Sequence, residues 1–365
     1  MSQTRTVTAA GTHFLVREEG AGDGTPVLLL HGVPETSRMW RDVQPALAVG
    51  RRVLAPDLPG LGGSAYDGPY DVPSLVAQLV ALIEGELGAG SSVDVVGHDW
   101  GGVLALGLAE ARPDLVRRLC VANAPYREVP LLRAAHIPFF ALPAIPELLF
   151  RLGGPRVVAQ MVKLAWRSAA PLDPEVQAEY AAAYGDPQRV AAMLGYYRAA
   201  ARPKLAALLP GAPEPVPGPQ VKVDRTLVLW GALDPVLPIA TGQSVVRDLG
   251  PRCAMVTVPG AGHFVIEEAT DVVLPVLLEF LGDDLQGDDL QGDDLQGDDL
   301  PGEAAPEPVT QVQVAPVLAV KTPAAPKEKP VRKPAAGTTP AKQSRAKKVQ
   351  PKTGPDKGAG PAADA

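Results

Sequence analysis

Ser92-Val-Asp-Val-Val-Gly97-His98-Asp99-Trp100-Gly101-Gly102 decides the fold. Its first five residues form a short, mostly apolar run, the pattern of a strand buried on both faces of a parallel sheet. From Gly101 the chain reads as a helix to Ala111, ended by Pro113. Gly97 and Gly101 flank the turn between them because a Cβ would clash in so tight a bend, and Gly102 leaves room for close helix packing. A strand-to-helix turn of this kind pushes its central side chain above the sheet edge, where a serine commonly serves as nucleophile. Here the centre is Asp99. A carboxylate needs no base to activate it and can displace a leaving group from an alkyl carbon. The product is an ester on Asp99, which water must then cleave.

Outward from this turn, strands and helices alternate. Residues 26–31, 52–57, 118–123, 226–230 and 254–258 are further short apolar runs, and Pro73 opens a helix with Leu75, Leu79 and Leu82 on one face. The alternation predicts an α/β protein with a doubly wound, mostly parallel sheet. Strand patterns stop between Asn123 and Gly218, where 148–150, 157–166, 175–184 and 190–201 are helical in character. Gly211-Ala-Pro-Glu-Pro-Val-Pro-Gly218 is a Pro-rich return to the sheet. The expected organisation is a core of residues 1–123 and 219–281 carrying an inserted helical cap, 124–218.

Water that cleaves an ester needs a general base, and the base needs an orienting acid. Val258-Pro-Gly-Ala-Gly-His263 places a histidine on a Gly-rich loop after the last strand, and Leu229-Trp-Gly-Ala-Leu-Asp234 places a carboxylate past the preceding one. Asp99, Asp234 and His263 then lie at strand C-terminal ends, where doubly wound sheets put their sites. Their chain order, nucleophile, acid, histidine, is a known hydrolase order. Asn123 ends an earlier strand, at the other place where the acid could stand, and is not one. In His31-Gly32-Val33-Pro34 the loop can aim a backbone N–H at developing charge, so the amides of Val33 and Trp100 are the expected oxyanion hole. Val33-Pro34 is a place where a cis peptide costs little.

His31-Gly-Val-Pro-Glu-Thr36, Gly97-His-Asp-Trp-Gly-Gly102 and Gly260-Ala-Gly-His-Phe264 together resemble the epoxide hydrolase and haloalkane dehalogenase branch of the α/β-hydrolases, over about residues 8–281. The resemblance implies the α/β-hydrolase fold and the Asp99–Asp234–His263 triad. Similar dehalogenases pair the Trp after the nucleophile with Asn or Glu in the first loop. Trp100 fits, but Val33 has no donor side chain. Similar fluoroacetate dehalogenases carry arginines after the nucleophile, where this chain has Trp100 and Val103. An epoxide leaves as an alkoxide and needs a proton donor, which family members supply from cap tyrosines. Leu194-Gly-Tyr196-Tyr197-Arg198 resembles the motif of the second such tyrosine and puts Tyr197 in its place. At the first tyrosine's position the chain departs, with His136, which resembles members carrying a His–Tyr pair. Trp100, Phe139, Phe140 and Tyr196, with Leu142 and Trp166, are the expected apolar pocket, whereas Tyr126, Tyr180 and Tyr184 read as packing or surface residues.

The implied function is opening of a small apolar epoxide to a diol by water, without metal or organic cofactor. A dehalogenase with the same triad is the first alternative, and a non-catalytic binder that keeps the pocket is the second. The 365 residues, 46% hydrophobic, suit one large domain with an insertion, and a net charge of −7 gives the folded part no reason to bind nucleic acid. Cys120 and Cys253 sit in apolar runs and read as buried free thiols. No signal-like or membrane-spanning apolar run is visible, so a cytoplasmic protein is expected. At Gly282 the composition changes: Gly-Asp-Asp-Leu-Gln repeats through an acidic stretch, 282–301, and a Pro-, Ala- and Lys-rich tail, 302–365, follows. Both are expected to be disordered, with no partner assigned.

Overall fold

The computed structural model describes residues 3–128, 134–206, 220–282 and 311–313. One sheet contains β1 (Gln3–Ala9), β2 (Thr12–Glu19), β3 (Gly24–Leu30), β4 (Arg51–Pro56), β5 (Val93–His98), β6 (Val116–Ala122), β7 (Arg225–Gly231) and β8 (Cys253–Val258). Their spatial order is β1-β2-β4-β3-β5-β6-β7-β8. From β4 to β8 every pairing is parallel. These strands are the apolar runs of the sequence to within two residues, because a strand covered on both faces can carry no polar face.

The β1–β2 pair was not legible as strands. It joins the sheet edge antiparallel, and β1 keeps most of its residues exposed, so it lacks an apolar run. Its signal is the two-residue turn Ala10-Gly11, with φ of 46° and 87°, the left-handed pair that a tight hairpin requires.

The helices are α1 (Gln44–Leu47), α2 (Val72–Leu87), α3 (Trp100–Ala111), α4 (His136–Ala141), α5 (Ile145–Gly153), α6 (Pro155–Ala165), α7 (Pro174–Ala183), α8 (Pro187–Ala206), α9 (Ile239–Leu249), α10 (Val265–Glu268) and α11 (Thr270–Leu281). Helix α2 starts where the Asp71 carboxylate accepts the Ser74 amide at 3.0 Å, and it buries Leu75, Val76, Leu79, Leu82 and Ile83 on one face. Each such side chain contributes roughly 1.5–3 kcal/mol of burial. Helices α4 to α8 form an insertion between β6 and β7. Proline stands in the first turn of α5, α6 and α7, where its missing N–H has no helical partner to lose.

Cys120 and Cys253 are free and buried. Among the described residues no helix is long and apolar enough to cross a membrane. The Pro-rich return 211–218 and the acidic repeat from 283 onward lie outside the described residues. Of the tail, Gln311–Gln313 is described as a short strand, β9, added in parallel to β8. The free edge of β8 offers unpaired backbone groups that an extended segment satisfies.

Candidate active site

Asp99 stands between β5 and α3 with φ of +48°, a left-handed backbone that residues other than glycine rarely adopt. The turn is closed tightly around it. A Cβ on Gly101 would press on the Leu30 carbonyl of β3, and one on Gly32 would lie 2.5 Å from the Asp99 Cβ. The loops after β3 and β5 therefore touch. The Val33 amide donates to Asp99 Oδ1 at 3.0 Å, and Val33-Pro34 is cis.

The other strand ends supply the partners. His263 Nε2 lies 3.5 Å from Asp99 Oδ2, and its Nδ1 is 2.8 Å from Asp234 Oδ2. Asp234 Oδ1 accepts the amides of Val236 and Leu237 at 2.7 and 2.9 Å. Its Oδ2 also accepts from Asn123 Nδ2 at 2.6 Å, while Asn123 Oδ1 accepts the Gly231 amide at 3.2 Å. Asn123 thus steadies the acid across β6 and β7. The structure brings Asp99, Asp234 and His263 together as the sequence expects.

Burial opposes all three charges, and their mutual contacts overcome it. Burial drives His263 down, but the charges and hydrogen bonds of Asp234 and Asp99 hold its pKa well above the ordinary imidazole value. Burial drives Asp99 up, but His263, His98 and the Val33 amide hold it below the ordinary carboxylate value. Asp234 is likewise held low by His263, the Leu237 amide and Asn123 against its burial. All three shifts run in the direction that favours an imidazolium between two carboxylates.

A layer that no sequence motif marks lies behind these three residues. His98 Nε2 donates to the His263 carbonyl at 2.8 Å, and Nδ1 lies 2.7 Å from Glu35 Oε2. Burial disfavours the charged His98 ring, and Glu35 outweighs it, so the ring's pKa is raised. Both ring nitrogens then donate. Glu35 Oε2 also accepts the Gly32 amide at 3.2 Å, so one buried pair ties the loops carrying Val33, Asp99 and His263. Glu268 is a second tie. Its Oε2 accepts the amides of Arg167, Ser168 and Gly262 at 2.6, 2.7 and 2.9 Å, and its Oε1 that of Phe264 at 3.0 Å. Glu35 stands inside His31-Gly-Val-Pro-Glu, but nothing in sequence spacing shows that it meets residue 98.

Two cavity lobes, about 310 and 220 Å³, meet at Asp99, His136 and Tyr197, which line both. The first is closed by Phe140, Met161, Leu164 and Phe264, the second by Val72, Trp100, Val103 and Leu237. Tyr197 is held edge-on against Trp100 at 5.2 Å and His136 at 5.9 Å between ring centroids. Burial and the Asp99 charge raise the Tyr197 pKa well above the usual phenol value, so the hydroxyl keeps its proton. Burial lowers His136, leaving a neutral ring with one N–H to donate.

Four expected pocket residues are not at the cavity. Tyr196 follows the helical turn away from Tyr197 and donates to the Pro59 carbonyl at 2.8 Å. Phe139 stacks on Phe140 with centroids 5.5 Å apart instead of lining either lobe. Leu142 is 41% exposed, and the Trp166 indole donates to the Ala170 carbonyl. Tyr180 donates to Glu267 at 3.1 Å and Tyr184 to the Glu35 carbonyl at 3.3 Å, as packing residues do. Tyr126 borders the second lobe, with its hydroxyl on Glu110 at 2.5 Å. The Trp100 amide makes no hydrogen bond to Asp99 in this arrangement, unlike that of Val33.

Residues 25–270 match the family model for the alpha/beta hydrolase fold. Epoxide hydrolase A of Mycobacterium tuberculosis is 31% identical over 76% of this chain and 96% of its own length. A haloalkane dehalogenase of Bradyrhizobium diazoefficiens is 40% identical over 32% of this chain and 37% of its own. A solved structure of an epoxide hydrolase from hot-environment metagenomes superposes with a TM-score of 0.67 at 30% identity, covering 78% of this chain and 99% of that one. The chain belongs to the α/β-hydrolase fold family. Its relatives group it with the epoxide hydrolase branch, and it is a hydrolase of that branch.

Proposed function

We propose that the protein opens an apolar epoxide to a vicinal diol through an ester on Asp99. The observation that carries this reading is the pair of protonated donors, Tyr197 and His136, on the wall shared by both lobes with a carboxylate nucleophile. An Asp99 oxygen attacks one epoxide carbon while Tyr197 and His136 hold the ring oxygen. The carbon–oxygen bond breaks as the new ester bond forms, and the alkoxide takes the Tyr197 proton.

The charge pattern then times the second step. Esterification removes the Asp99 charge, one of the two that keep His263 protonated. The His263 proton restores Tyr197, and the neutral imidazole becomes a base. It deprotonates a water that attacks the ester carbonyl, with Asp234 steadying the imidazolium that forms. The Val33 amide, already on Asp99 Oδ1, and the Trp100 amide meet the oxyanion. The diol leaves, and Asp99 keeps one oxygen from water. In this scheme the helical insertion acts as the cap and Asp99, Asp234, His263, Tyr197 and His136 carry the chemistry. No step calls for a cofactor.

A carbon–halogen substrate is the second reading, favoured by the dehalogenase relative and by the Trp100 indole beside the second lobe. Mass spectrometry of His263→Gln after incubation with styrene oxide and, separately, 1-bromobutane separates the two. An adduct on Asp99 that retains the whole epoxide mass is expected. A butyl adduct with bromide lost, and none from styrene oxide, overturns ring opening in favour of dehalogenation. No adduct from either in a folded sample favours a binder.

A further inference from the structure

Helix α5 is covered on one side only. Pro146 and Phe150 are buried beneath it, while Ile145, Leu148, Leu149 and Leu152 are exposed, Leu152 to 76%. Positions 145, 148, 149 and 152 fall on one helical face. Single exposed leucines are ordinary, but a row of them marks an interaction surface. The helix packs against α6, where Leu164 lines the first cavity lobe and is itself 69% exposed. Exposed apolar side chains thus stand both on α5 and at the cavity wall.

The fully exposed charges from α5 to the residues after α6 are basic. Arg151, Arg156, Lys163 and Arg167 are all exposed. Glu147, the acid on α5, is bound to Arg198 at 2.7 Å. The next acids along the chain, Asp173 and Glu175, open α7. This cationic patch belongs to a chain of net charge −7.

We propose that this face rests on an anionic lipid surface, with the α5 leucines in the headgroup–acyl boundary and the cavity mouth at Leu164 turned toward the bilayer. An amphipathic helix with a basic rim lies in that plane, and anionic lipids attract the rim. Apolar substrates concentrate in the bilayer, so a mouth on it draws from the richer phase; this clause rests on the cavity being the substrate site. A second copy meeting the same face across a two-fold axis would set like charges against each other.

The test is flotation of the full-length protein with vesicles of phosphatidylcholine alone and of phosphatidylcholine mixed with phosphatidylglycerol. Binding is read as retained protein, so its outcome is independent of whether epoxides are turned over. Wild type is expected on the anionic vesicles and not on the neutral ones, with release by salt. Leu148→Ser/Leu152→Ser and Arg151→Glu/Arg156→Glu should each cut retention at least tenfold, while keeping the wild-type circular dichroism and thermal transition. No retention of wild type overturns the proposal. Retention unchanged in both variants also overturns it and assigns binding to the lysines of 321–348. A wild-type dimer that Leu148→Ser/Leu152→Ser converts to monomer, without vesicle binding, assigns the face to a second copy and overturns it too.

Discussion

The strand-end loops and the helical insertion face each other across one cavity and hold their functional groups by different means. On the loops, charged groups are pinned by hydrogen bonds of 2.6–3.0 Å: Asp234 by Asn123, Val236, Leu237 and His263, and Asp99 by Val33. On the insertion, Tyr197 and His136 are gripped by rings, Trp100, Phe140 and each other. The difference follows from the work proposed for each side. A nucleophile and its base must keep charge and register through two steps, and buried charge survives only when partnered. A donor to a substrate oxygen must keep its proton until the substrate arrives, and aromatic walls fix the ring while raising the phenol pKa.

The contrast predicts graded losses. Asp99→Asn removes the nucleophile and should lower kcat/KM by about 10⁴-fold or more, with no adduct from any epoxide; substantial residual turnover would break the assignment of the loops as the covalent side. Tyr197→Phe should cost kcat about 10²–10⁴-fold, the range for a general acid. His136→Phe should cost less, about tenfold, because it supplies a hydrogen bond and not the transferred proton. Single-turnover kinetics would place both losses in ester formation; a loss in ester hydrolysis alone would put the insertion on the wrong step.

Glu268 joins the two regions, since it accepts amides from the His263 loop and from the residues after α6. Glu268→Ala should lower unfolding free energy by about 1–3 kcal/mol, the cost of stranding partly buried donors, measured by urea titration. A neutral result would mean that the regions are held together elsewhere.

The smallest effect is in pH. Asp234 is held low, so its contribution to stability is present above the ordinary carboxylate value of 3.8 and is lost as pH falls through its lower folded value. His263 is held high, so its contribution is full below the ordinary imidazole value of 6.5 and is lost as pH rises through its higher folded value. The stability gap between wild type and Asp234→Asn should therefore be widest between pH 3.8 and 6.5 and narrow on both sides. A gap flat from acid to alkaline pH would remove the imidazolium from the resting state.

The parallel strands and the strand-end places of Asp99, Asp234 and His263 were legible because they are local. A buried strand writes an apolar run, a tight turn demands glycine, and each of these three residues follows a strand end. The edge pair β1–β2 writes no such run. The pocket was less legible. Phe139 and Phe140 are adjacent and equally apolar, as Tyr196 and Tyr197 are adjacent and equally phenolic, yet one of each pair faces the cavity. The turn of a helix against its neighbours decides that, and composition does not record it.

By itself, then, the sequence determined the order of the strands along the chain, the carboxylate at the turn and the strand-end places of Asp234 and His263, since each depends on residues within one element and its loop. Only the tertiary structure decided that Glu35 meets His98 across 63 residues, that Glu268 ties the His263 loop to the insertion, and that two apolar lobes converge on Asp99. Those contacts join elements far apart in the chain, and a buried charge finds its partner through packing in three dimensions.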